Sequence, residues 1–129
     1  MRTYCMKFYL PVYHSGNGDR TAAHRHTVEV AVYVRRDGER FEPFSEMEKS
    51  VEACLRPYGS CYLNDREEFH EDASMERLGD VLFSRLAELM EERKSSLLRL
   101  EIGETPLRKY AVGILEPGSA DRMRGSDER

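Results

Sequence analysis

The sequence predicts an α+β domain: a four-stranded antiparallel sheet with two helices on one face, in the order ββααββ. Three observations carry this. Residues 2–36 hold two runs of period-two hydrophobicity around a Gly-rich turn, 44–93 hold two runs at helical spacing, and 96–116 return to period two across a TPLR turn. No repeat or low-complexity linker divides the 129 residues, so 1–116 reads as one domain and 117–129, rich in Gly, Ser, Asp and Arg, as a flexible tail.

The first strand is RTYCMKFYLPVYH, where Tyr4, Met6, Phe8, Leu10 and Val12 alternate with a more mixed set and His14 falls on the buried parity. Pro11 removes a ladder donor, which places this strand at a sheet edge or breaks it there. After the turn-rich SGNGDR comes HRHTVEVAVYVRR, in which Val28, Val30, Val32 and Val34 alternate strictly with their neighbours. A polar stretch with a DG turn leads to FSEMEKSVEACLRPYG. There Phe44, Met47, Val51, Cys54 and Leu55 form a helical stripe, Ser45 is the expected cap, and Pro57 and Gly59 stop the helix. SCYLNDREEFHED reads as an irregular link, its charged part DREEFHED as a solvated loop. The second helix runs from about Ser74 to about Arg93 on Leu78, Val81, Leu82, Leu86, Leu89 and Met90. SLLRLEIGE and KYAVGILE complete a second hairpin.

Composition narrows the function. Charged residues make up 34% with a formal net charge of −4, which argues against a nucleic-acid partner. Cys5, Cys54 and Cys61 are odd in number, widely spaced and without a CxxC pair, so neither a disulfide framework nor a thiolate metal site is expected. With no apolar leader and no run of membrane-spanning length, the expectation is a soluble cytoplasmic protein without a membrane partner.

The histidines carry the chemistry. His24 and His26 stand two apart at the mouth of the second strand, so their imidazoles leave the same face, and an antiparallel pairing returns His14 to them. Three neutral imidazoles around one centre, with a fourth position open, is the donor set of a catalytic zinc; other transition metals suit the same ligands. The alternative is three solvated loop histidines.

The order of elements, together with His14 and HRH, YLND at 62–65, ASMERL at 73–78 and GETP at 103–106, resembles the family of 6-pyruvoyl tetrahydropterin synthase and 6-carboxytetrahydropterin synthase over residues 6 to 115. The resemblance implies the tunnelling fold, with sheets of several subunits joined into a barrel, and a homo-oligomer, trimer or hexamer. It implies zinc on His14, His24 and His26, with Arg25 replacing the glycine of the family's HGH. It places the pterin-anchoring carboxylate at Glu104, followed by Thr105, and the family's PTxE motif on Ala73, Ser74, Met75 and Glu76. The implied ligand is a reduced pterin or a related purine-like molecule, and the implied chemistry is of lyase type.

The departures fall on proton transfer. The family's catalytic cysteine, four residues before the first His of its HGH, corresponds to Arg20, and its Asp-His pair to Gly59 and Ser60. A replacement base is left unidentified, with Asp19, Cys61 and His70 as weak candidates. Two readings follow: a zinc-dependent enzyme with replaced acid/base residues, or a non-catalytic relative that binds zinc and a pterin or purine in a regulatory or scaffolding role.

Overall fold

A computed structural model of the chain describes residues 2–36 and 42–114. The DG turn at 37–38 and the tail at 117–129 lie outside the described residues. The elements are β1 (Arg2–His14), β2 (His24–Arg36), α1 (Phe44–Leu55), α2 (Met75–Glu92), β3 (Ser95–Thr105) and β4 (Arg108–Gly113). The strands form one antiparallel sheet in the order β1-β2-β3-β4.

Register follows from the hydrophobic parity. Leu10 stands opposite Val28, Val12 opposite His26 and His14 opposite His24; Val30 faces Ile102 and Val32 faces Leu100. A slip of one residue would turn the fully buried Val28, Val30, Val32 and Val34 out to solvent. β1 is the sheet edge, where Pro11 is tolerated opposite Thr27.

Both helices cover the valine face. α2 buries Leu78, Leu82, Leu86 and Met90, and α1 buries Met47, Val51 and Leu55. Each such side chain contributes about 1.5–3 kcal/mol of transfer free energy. At the end remote from the histidines, the buried Glu42 side chain pairs with Arg36 at 3.1 Å and with Arg93, while Tyr4 Oη donates to the Glu42 carbonyl at 2.8 Å. This cluster ties β1, β2 and the end of α2 together.

Two expectations are corrected. Ser45 does not cap α1: the helix starts two residues earlier than that cap implies, at Phe44, with Pro43 at the N-cap, φ −60° and ψ 138°, and no side-chain cap bond. Proline's fixed φ sets the entry without a hydroxyl. The link between the helices is also more than a solvated loop. It contains three 3₁₀ turns, Arg56–Gly59, Leu63–Asp65 and Glu67–Phe69, which bury Tyr58, Leu63 and Phe69 in the core.

Candidate metal centre and its cavity

The β1–β2 pairing brings the three histidines together. Their ring centroids lie 4.7, 4.8 and 4.9 Å apart, and one ligand atom from each falls within 4.8 Å of the others. His14 is 3% exposed, His26 half-buried and His24 exposed.

Each ring has one nitrogen facing an oxygen. His14 Nδ1 is bonded to the Ala73 carbonyl, His24 Nδ1 lies 3.4 Å from the Ala22 carbonyl, and His26 Nδ1 lies 3.4 Å from Glu104 Oε2. A carbonyl can only accept, so the His14 bond puts the proton on Nδ1 and the lone pair on Nε2. Nε2 of His14 and of His26 are both buried without a hydrogen-bond partner. Buried nitrogens of this kind are costly unless something fills their lone pairs. Burial, reinforced by the neighbouring His14 and His24, pushes the His26 pKa below its ordinary value against the opposing pull of Glu104. The neutral imidazole that results is the form that binds metal. These residues fit a transition-metal ion, and their group could hold one.

Asn64, part of the YLND motif but given no role from the sequence, props the site from behind. Its Oδ1 accepts from Ser15 N at 2.9 Å, and its Nδ2 donates to the carbonyls of Ser15 at 2.8 Å and His70 at 3.0 Å. It thereby holds the residue after His14 against the link. A buried Asn in a polar stretch has no periodicity to betray it.

A cavity of about 500 Å³ opens beside the triad, lined by His14, His24, Ser74, Glu76, Glu104, Thr105 and Tyr110, with Arg108 and Lys109 at its β4 side. Ser74 is the N-cap of α2, its Oγ accepting from Arg77 N at 3.1 Å. Thr105 Oγ1 accepts from Leu107 N at 3.3 Å in the β3–β4 turn. Tyr110 Oη donates to Asp80 at 2.7 Å, which raises the phenol's pKa.

None of Asp19, Cys61 and His70 lines this cavity. The Asp19 carboxylate accepts from Thr21 N and Oγ1, at 3.0 and 2.7 Å, and these bonds lower its pKa. It is a cap on the turn Arg20–Ala22 and a weak base. Cys61 lines a different cavity, which it shares with His26, Tyr13, Arg25, Ser60 and Tyr62. His70 is exposed.

The model of the 6-pyruvoyl tetrahydropterin synthase family matches residues 2–113. The chain belongs to that family. Among solved structures it is similar to 6-pyruvoyl tetrahydropterin synthase from Caenorhabditis elegans, with a TM-score of 0.72 and 16% identity over 87% of this chain and 94% of that one. It is similar also to the Plasmodium falciparum protein, with a TM-score of 0.55 and 17% identity over 85% and 96% of the two chains. A third is the Plasmodium vivax protein solved with a catalytic residue, a glutamate, replaced by cysteine, with a TM-score of 0.57 and 14% identity over 87% and 98%. No curated protein matches the sequence. The architecture is thus the tunnelling fold of the 6-pyruvoyl tetrahydropterin synthase family. At the place of that family's expected cysteine, Arg20 is paired with Asp65 at 2.7 Å and stacked 4.3 Å over the Tyr62 ring. Arg25 lies over Tyr13 at 4.2 Å, on the sheet face opposite the histidines.

Proposed function

We propose that the protein binds zinc through His14, His24 and His26 and a reduced pterin in the adjoining cavity, and that it acts as a 6-pyruvoyl tetrahydropterin synthase-like lyase. The observation that supports this most is the triad itself: three rings whose Nδ1 atoms face oxygens, with two buried, unpartnered Nε2 atoms beside a cavity that carries carboxylates.

Bound there, the ion would supply a Lewis acid to oxygens of the ligand's side chain. The chain's own residues supply the rest. Glu104 offers a carboxylate to the N–H edge of a pterin ring. Ser74 and Thr105, whose hydroxyl oxygens each accept one backbone N–H in the helix cap and the turn, present hydroxyls to the ligand on the cavity wall. Glu76, in the first turn of α2 and on the cavity wall, is the carboxylate suited to accept a proton from the ligand. In the Plasmodium vivax protein a glutamate is a catalytic residue, which supports carboxylate chemistry on this fold.

One observation favours the second reading, a zinc- and pterin- or purine-binding protein without turnover. Arg20 stands where the resemblance expects the thiol, and its guanidinium is engaged by Asp65 and Tyr62. Metal analysis, calorimetry with a reduced pterin and a product assay on the same preparation separate the two. Metal, binding and turnover together support the lyase; metal and binding without turnover support the binding protein; failure to bind either overturns both.

The proposal includes a homo-oligomer, trimer or hexamer. β1 and β4 are both open sheet edges, and pairing them between copies would close the sheets into a ring.

A further inference from the structure

We infer that Glu104 is a positioning residue for the metal: its carboxylate holds the proton of His26 on Nδ1 and so aims Nε2 at the centre. This rests on the metal-binding part of the proposed function. It assigns Glu104 a role distinct from contacting the ligand ring.

Strand register gives the first support. Val30 stands opposite Ile102 and Glu29 opposite Gly103, so Glu104, in the irregular stretch that ends β3, comes to the end of the sheet where His26 opens β2. Glu104 therefore faces a histidine of its own chain.

The second support is the division of labour around the triad. His14 and His24 face main-chain carbonyls, of Ala73 and Ala22, which come with the backbone fold. His26 faces a carboxylate, at 3.4 Å, with side-chain exposures of 20% for His26 and 38% for Glu104. That distance is longer than a well-formed hydrogen bond, and contacts of this kind shorten when a site fills. A carboxylate behind a metal-bound imidazole fixes the tautomer and raises the ligand's basicity. It also sets one negative charge beside a site whose three ligands are neutral. Oε2 is the atom near His26, which leaves Oε1 for the cavity.

The experiment compares wild type with Glu104→Ala, Glu104→Gln and, as a same-strand control, Glu101→Ala, whose side chain is engaged by Arg99. Zinc affinity is measured by chelator competition, and the His26 tautomer by nitrogen-15 NMR of the metal-free protein. The expected result is a loss of about 10–100-fold in zinc affinity for Glu104→Ala, partial rescue by Glu104→Gln and no change for Glu101→Ala. In the metal-free wild type His26 carries its proton on Nδ1, and in Glu104→Ala this preference is lost. Unchanged affinity in a folded Glu104→Ala protein, or an unchanged tautomer mixture, overturns the inference while leaving the zinc site standing. Wild type that takes up no zinc overturns the proposed function, and the tautomer measurement still decides the role of Glu104.

Discussion

Asn64 and the histidines set the behaviour of the site one residue at a time. Asn64→Ala strips hydrogen bonds from Ser15 N and O and from the His70 carbonyl. It should lower the unfolding free energy by about 1–3 kcal/mol in denaturant titration, with a parallel loss of zinc affinity because His14 adjoins Ser15. The depressed pKa of His26 fixes a pH dependence. Between its folded pKa and the ordinary value of 6.5, the unfolded chain binds more protons than the folded one. The stability contribution is therefore present above 6.5 and lost as pH falls through the folded value. Zinc retention should fall in the same direction, since protons compete for the same lone pairs. Dialysis at neutral pH and at about pH 5, below the ordinary histidine range, followed by metal analysis, checks it; equal retention at both would contradict neutral imidazole ligation. The triad was legible in the sequence because a spacing of two on a strand fixes a common face. Asn64 and the Glu104–His26 contact were not, because each joins segments far apart in the chain.

Among the elements, α2 and β4 pack tightly at Gly79, where an added Cβ would lie 2.8 Å from a ring carbon of Tyr110 and 3.1 Å from Ile102. In an exposed helix Gly→Ala would stabilise by about 1 kcal/mol. Here overpacking opposes it, and Gly79→Ala should destabilise by about 1–3 kcal/mol. Because Tyr110 lines the cavity, the same change should weaken pterin binding measured by calorimetry while leaving zinc affinity intact. The strands and helices themselves were readable from period and parity, down to the start of α2 near Ser74. The start of α1 was misread because Pro43 supplies the entry geometry that a serine hydroxyl usually supports. Phe69 was missed because one buried aromatic in a charged stretch carries no pattern.

On the scale of the whole molecule, helices cover one face of the sheet and β1 and β4 are its edge strands, which the proposed ring would pair between copies. Size-exclusion chromatography with light scattering should give a trimer or hexamer, and a proline at an outward-facing position of β4, as in Ala111→Pro, should shift it toward monomer by removing an edge donor, since Ile114 N donates to Leu98 O and the alternation turns the Ala111 N–H away from β3. A monomer in the wild type would contradict the ring. No helix among the described residues is long and apolar enough to cross a membrane. The central claim is that three imidazoles from one β-hairpin form a working metal site next to a ligand cavity. The most direct measurement is zinc content and reduced-pterin binding of the wild type beside His24→Ala/His26→Ala. About one zinc per chain with pterin binding in the wild type, and loss of zinc in the double variant, is the predicted result. No zinc in either protein, or equal zinc in both, would contradict the claim.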